Sequence, residues 1–231
     1  MKKIIPHVDL VESVKNALFD AILTGEFLPG EKLAQDDLAE KMGVSRQPII
    51  QALRILSEHG ILSPHGKKGV AVSKLNTNKL KSLLQVRREL DCLAARLAAK
   101  RAKAKEFEDH DYEQIDNLKK LIALSHLQMK GDNHANLVRN DLEFHKMIRS
   151  LSGNTFIQST LEPHLLHQSR IFYITAANRH QVIWEQHESI FEAILSGDAN
   201  VAENLTHAHT VEAEELMVWY EDEICKNQSG L

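Results

Sequence analysis

A glycine and a proline constrain the fold of residues 37–62 more than any other feature of this chain. Gly43 interrupts a short helical pattern and permits the positive φ of a tight turn between two helices. Pro48 fits a second helix only in its first turn, where backbone N–H groups lack intrahelical partners, so this helix begins after Ser45, a favourable N-cap. The helix then carries an apolar stripe formed by Ile49, Ala52, Leu53 and Leu56. The spacing predicts a helix-turn-helix.

The flanking segments complete a larger pattern. Apolar residues recur at helical steps from Val11 to Ile22, which predicts a first helix. After the helix pair, residues 61–62 and 70–72 are typical of two short strands joined by a loop at residues 66–69. Three helices followed by a small β-hairpin make a winged helix-turn-helix, which is a DNA-binding fold.

Charge is distributed unevenly along the chain. Residues 41–74 carry six basic side chains and one acidic side chain, although the whole chain has a formal net charge of -4. A local basic surface suits the phosphate backbone of DNA, and Lys67 and Lys68 in the wing loop are expected to add sequence-independent affinity. The alternative is an ordinary solvated charged surface.

The N-terminal residues resemble the DNA-binding domain of the GntR family of bacterial transcription regulators. The matching text is "LTGEFLPGEKL", "LAEKMGVSRQPI" and "ALRILSEHGIL", and the resemblance covers nearly all of residues 10–73. It implies that the helix beginning at Arg46 enters the major groove, with Ser45 and Arg46 contacting phosphates or base edges. It also implies that His65 and Gly66 at the wing tip approach the minor groove.

Two positions depart from the family pattern. Ile50 stands where a basic residue is usual, and Asp36 stands where some members have arginine. These differences imply a different operator preference, since base contacts each contribute about 1–3 kcal/mol. Gln47 and Gln51 have the chemistry to read adenine, and the alternative is that both face solvent.

The remainder, residues 76–231, contains helical periodicity and no strand alternation, which predicts an all-α bundle of six or seven helices. The expected class is therefore mainly α, with a DNA-binding winged helix-turn-helix in residues 1–75 and a helical bundle in residues 76–231. No apolar run reaches the length needed to cross a bilayer, and no signal peptide is evident, so we expect a cytoplasmic protein.

Three histidines and an aspartate lie on apolar helical stripes of this remainder. Asp141 and His145 are four residues apart and share one helix face, while His187 and His209 lie on the inward stripes of two later helices. His207 falls outside the stripe of His209. Imidazoles and a carboxylate suit zinc, nickel, manganese or iron. The alternative for each histidine is a core residue bonded to a backbone carbonyl.

The helical part is similar to the FCD domain found in the FadR-type branch of the GntR family. The matching text is "VRRELDCLAARLAA", "NDLEFHKMIRSLSGN" and "EQHESIFEAILSGDA", within residues 78–222. The resemblance implies that a divalent transition metal, zinc or nickel foremost, anchors a small organic acid. It places Arg87 near that acid. Arg87 would then either form a bidentate pair with the carboxylate of the acid or belong to a structural ion pair. The metal ligands that it implies are the same four residues that the periodicity directs inward, Asp141, His145, His187 and His209. It also implies that residues 76–231 form a metal-binding, effector-binding and dimerisation domain.

Together these patterns predict a homodimeric transcription regulator that binds a palindromic operator under the control of a metabolite. One alternative is a pure metal sensor, in which the ion itself is the signal. Another is a metal-dependent hydrolase, but no motif places a general base beside the cluster, so we expect no enzyme.

Overall fold

The computed structural model describes residues 10–66, 69–74, 77–130, 134–161 and 179–228. The chain divides into two compact units, Met1–Leu75 and Asn76–Leu231. Among the described residues, no helix combines the length and the apolar character needed to span a membrane.

The N-terminal unit contains α1 (Leu10–Leu23), β1 (Lys32–Leu33), α2 (Gln35–Met42), α3 (Arg46–Glu58), β2 (Leu62–His65) and β3 (Gly69–Val72). The turn between α2 and α3 is built as the sequence predicts. Gly43 has φ 63°, and the Val44 N–H donates to the Ala39 carbonyl at 3.1 Å, which closes the end of α2. The apolar stripe of α3 is at most 2% exposed and packs against α1 and α2, so the opposite face of α3 is left toward solvent.

The three strands form one antiparallel sheet in the order β1-β3-β2. Leu62 pairs with Val72 and His65 with Gly69 in the expected hairpin, which begins one residue later and runs further than the sequence indicates. A Cβ at Gly69 would lie 2.8 Å from the His65 carbonyl oxygen, so glycine permits this close approach. The expectation of two strands was incomplete, because β1 adds a third that is only two residues long and shows no alternation.

The C-terminal unit contains α4 (Thr77–Ala104), α5 (Asp109–Gln128), α6 (His134–Leu151), α7 (Thr155–Leu161), α8 (His180–Leu195) and α9 (Ala199–Gln228). Six helices are thus described, and residues 162–178 lie outside the described part. Glu108 and Asp111 form a reciprocal capping box that starts α5. The predicted class, mainly α with a winged helix-turn-helix and a helical bundle, is confirmed.

The bundle is organised around α4, which packs against α6, α8 and α9. Ala95, Ala98 and Ala99 are fully buried on one face of α4, and their small side chains let the neighbouring helices approach closely. Phe144 of α6 and Trp184 of α8 fill the adjacent core. The metal-ligand candidates lie on these same three neighbours of α4, so helix packing brings them together.

Candidate metal centre and nucleic-acid interface

The four predicted metal ligands converge inside the bundle. Asp141 and His145 come from α6, His187 from α8 and His209 from α9, and one donor atom of each lies within 4.8 Å of the others. None of the four is more than 6% exposed. The structure therefore brings together residues that are up to 68 positions apart in sequence.

Four of the six distances between the donor atoms are close to those between ligands of one ion. The Nε2 atom of His209 lies 3.2 Å from Nε2 of His187 and 3.4 Å from Nε2 of His145. The Asp141 Oδ1 atom lies 3.4 Å from His187 Nε2 and 3.8 Å from His145 Nε2. Four donors at zinc–nitrogen bond lengths are about 3.3 Å apart at the corners of a tetrahedron. These residues fit a divalent cation, since a cation offsets the repulsion between converging lone pairs.

The protonation states also suit a metal. Burial lowers the pKa of His145 and His187 well below 6.5 and that of His209 to about 4, and the charge of Arg87 acts in the same direction. The three imidazoles are therefore neutral at pH 7, which is the ligating form. Burial raises the pKa of Asp141 to about 6, so most of this buried carboxylate is ionised at neutral pH and needs a counter-charge.

The outward-facing nitrogens of the histidines have three different surroundings. His209 Nδ1 lies 2.8 Å from Gln186 Oε1, and His145 Nδ1 lies 3.6 Å from Asp91 Oδ2. The His187 ring stacks on Phe144 with a centroid distance of 4.0 Å, and its buried Nδ1 has no hydrogen-bond partner among the described residues. The Gln186 acceptor favours the tautomer of His209 that directs its Nε2 lone pair toward the centre, and the negative charge of Asp91 lies on the corresponding side of His145.

Asp91 and Arg149 were missed by sequence analysis, although both are buried beside the cluster. Arg149 Nε donates to Asp91 Oδ1 at 2.6 Å and Arg149 Nη2 donates to Oδ2 at 3.1 Å, while Arg87 Nε donates to Oδ2 at 2.9 Å. Burial alone would raise the pKa of Asp91, but the two guanidiniums outweigh burial and lower it. The sequence could have indicated that Asp91 and Arg149 point inward. Arg87 and Asp91 are four residues apart and share a helix face, and so do His145 and Arg149.

Arg87 forms a structural ion pair, which is one of the two roles considered for it, and it also lies where the other role would place it. It forms the buried ion pair with Asp91 and also lines a small recess beside Asp141 and His209. The cavity volume is about 20 Å³, close to the space of a single water molecule. The other lining residues are Arg179, Ile183, Gln186, Glu212, Ala213 and Leu216. A metal-bound organic acid would therefore have to widen this recess, with a guanidinium already at its wall.

The predicted DNA contacts that the structure describes are exposed to solvent in the N-terminal unit. Ser45 is the extended N-cap of α3 but makes no side-chain capping bond. Arg46, Gln47 and Gln51 are exposed, and Ile50 is 38% exposed on the same surface. The remaining candidates belong to the wing: His65 and Gly66 are exposed at the end of β2, while Lys67 and Lys68 lie outside the described residues.

One contact on this surface was not anticipated. Arg46 Nε pairs with Asp36 Oδ1 across the turn between α2 and α3. Asp36, considered from sequence only as a lost contact, is therefore an ionic partner of the first residue of α3.

Two family models match the chain. The model of bacterial regulatory proteins, gntR family, matches residues 10–72, and the FCD domain model matches residues 82–212. Both parts of the resemblance drawn from the sequence are confirmed.

Individual relatives agree with the family models. The uncharacterized HTH-type transcriptional regulator YdhC of Bacillus subtilis (strain 168) is 28% identical over 197 residues, 84% of this chain and 84% of that protein. The HTH-type transcriptional regulator LutR of the same organism is 27% identical over 223 residues, 87% of this chain and 98% of that protein. The structure of E. coli McbR/YncC has a TM-score of 0.74 at 20% identity, covers 93% of this chain and 100% of that chain, and shows the same fold.

The families and relatives are transcription regulators, which confirms the prediction of a regulator and not an enzyme. The chain therefore belongs to the GntR family of bacterial regulatory proteins, as a DNA-binding transcription regulator whose C-terminal part is an FCD domain.

Proposed function

We propose that this regulator binds its operator under the control of a small organic acid held at a divalent transition metal in the helical bundle. The observation that carries the proposal is the convergence of three histidine Nε2 atoms and one carboxylate oxygen at a fully buried point. Zinc and nickel match this mixed nitrogen and oxygen donor set best.

The side chains around the centre have distinct tasks in this proposal. The four ligands hold the ion, and Gln186 and Asp91 orient the rings of His209 and His145 from behind. A bound divalent ion supplies a Lewis-acidic centre for a carboxylate oxygen. Arg87 at the wall of the recess offers the acid a second, charge-assisted contact.

The N-terminal unit supplies DNA recognition. We assign Ser45, Arg46, Gln47 and Gln51 on α3 to the major groove, because the buried stripe of α3 leaves this side of the helix exposed. The wing residues His65, Gly66, Lys67 and Lys68 are assigned to the neighbouring backbone and minor groove. Two copies in a homodimer would read the two halves of a palindromic operator.

Residues 1–75 and 76–231 divide these tasks between DNA binding and sensing. The acid shifts the balance between conformations of the dimer only by its differential affinity for them. The regulator would act in the cytoplasm, where a bacterial chromosome is accessible to it.

A matched pair of histidine variants tests the metal centre. Chelator-stripped protein is titrated with zinc and with nickel by isothermal titration calorimetry. His209→Ala is expected to abolish tight binding because it removes a buried ligand, while His207→Ala, which changes an exposed residue two positions away, should bind as the wild type does. Equal loss in both variants would contradict the assignment.

A mobility-shift assay separates organic-acid control from metal sensing. The probe is a duplex enriched from a random pool by the metal-loaded protein, and a panel of small carboxylic acids is added at constant zinc. Organic-acid control predicts that one class of acid changes DNA affinity at fixed metal. If zinc alone switches the affinity and no acid adds to it, the chain is a metal sensor.

Arg46→Ala tests the DNA-reading face. Because Arg46 is exposed in the first turn of α3, its removal should weaken DNA binding and lower the slope of log affinity against log salt by about one. Unchanged affinity and slope would show that α3 does not meet DNA through this end.

A further inference from the structure

Asp36 and Arg46 form an ion pair at the surface proposed to meet DNA. Asp36 lies in the first turn of α2 and Arg46 is the first residue of α3. The turn at Gly43 between these helices therefore brings the two side chains together. The Asp36 and Arg46 side chains are 62% and 67% exposed. The pair is therefore open to exchange with ions in solution.

The start of α3 lacks a negative charge of its own. No acidic residue lies in its first turn, and Ser45 makes no side-chain capping bond. A cation at Arg46 is disfavoured there by the helix dipole, whose positive end lies at the N-terminus. In the free protein Asp36 supplies the missing anion from the neighbouring helix, and on DNA a phosphate would do so.

The carboxylate and the DNA phosphate therefore compete for one guanidinium. Exposed ion pairs are weak, so a phosphate can displace the carboxylate. Displacement breaks the ion pair between Asp36 and Arg46, and this cost applies to DNA of any sequence.

We propose that Asp36 attenuates the affinity of this regulator for DNA, because it holds Arg46 in the free protein and a DNA phosphate must displace it. The inference rests on the proposed DNA-reading face and goes beyond it. A purely structural role for Asp36 is to complement the dipole at the start of α2, a role that the adjacent Asp37 shares. The two carboxylates thus form a natural test pair.

The experiment compares Asp36→Asn with Asp37→Asn in the full-length protein. Binding to a random-sequence duplex is measured by fluorescence anisotropy over a series of salt concentrations, and thermal melts verify folding. Asp36→Asn should tighten binding at least about threefold at low salt, because a phosphate no longer has to displace the carboxylate from Arg46. Asp37→Asn should change the affinity much less.

A double-mutant cycle assigns the effect to Arg46. In an Arg46→Ala background, Asp36→Asn should give no gain, because the guanidinium that it releases is absent. Equal gains in the two asparagine variants, or a gain that persists without Arg46, would overturn the proposal in favour of general charge repulsion. Weaker binding by Asp36→Asn would also overturn it, since this result indicates a direct contact such as a bond from cytosine N4. If Arg46→Ala itself leaves DNA binding unchanged, the DNA-reading face fails as well.

Discussion

Acidification protonates exposed histidines, but burial shields the histidines of the metal centre from this titration. The pKa of His145 and His187 is held well below 6.5 and that of His209 at about 4, so they remain largely neutral down to about pH 5. Asp141 is the ligand that titrates, because burial raises the pKa of its carboxyl to about 6. A protonated Asp141 does not bind a metal.

Proton competition at Asp141 should therefore reduce the apparent zinc affinity by only about tenfold between about pH 7 and about pH 5. Three exposed histidines with ordinary pKa values would reduce it by about ten-thousandfold over the same range. Competition with a chromophoric chelator of known proton affinity measures the difference. His207→Ala is the control, since loss of this exposed histidine should leave the curve unchanged. A fall beyond about a thousandfold would refute the reasoning, because the ligands would then titrate as solvated groups.

The same pKa shifts act on the stability of the metal-free protein with opposite signs. Each ligand histidine has a depressed pKa, so it costs stability as the pH falls below 6.5 and the unfolded chain takes up a proton that the folded chain does not. Asp141 has a raised pKa, so its stabilising contribution is present at low pH and is lost as the pH rises through about 6. The stability lost through the three histidines exceeds the stability gained through the one aspartate. The thermal unfolding midpoint of the metal-free protein should therefore be lower at about pH 5 than at about pH 7.

Four substitutions test other parts of the structure. Asp91→Asn removes the carboxylate behind His145 and should weaken zinc binding by about 10- to 100-fold in calorimetry; unchanged affinity in a folded variant would mean that Asp91 serves only the arginines. Gly197→Ala adds a Cβ 2.8 Å from the last turn of α4 at φ 76°, whereas Gly25→Ala, at φ 84°, meets no described atom within 4 Å. The melting temperature should therefore fall more for Gly197→Ala, and equal falls would contradict the contact. Leu18→Ala, at a fully buried position of α1, should cost about 2–5 kcal/mol in urea denaturation; a cost within error of zero would contradict the packing.

Local chemistry made most of the fold predictable. Gly43 and Pro48 indicated the helix pair before any packing was known, since each residue restricts the backbone wherever it stands. The strand at Lys32–Leu33 was not predictable, because two residues carry no periodicity and pair only when β3 is beside them. The burial of His180, which is 6% exposed, was not predicted, because it depends on the tertiary packing around the start of α8.

The features of the candidate site that depend on a single helix face were predictable from the sequence. Asp141, His145, His187 and His209 each lie on an apolar stripe, so burial followed from spacing, while convergence needed the resemblance to a known family. The pairing of Asp91 with Arg149 joins α4 to α6, and a charged residue on a single helix does not reveal its partner on another. The same holds for Asp36 and Arg46, which become neighbours only after the turn between their helices has formed.

Burial of all four ligands has a consequence for timing. An ion held at the proposed centre would have to shed its water shell to reach a point where no donor residue is more than 6% exposed, so its loading and release would be slow. Brief fluctuations in the metal supply of the cell would then leave the behaviour of the existing molecules unchanged.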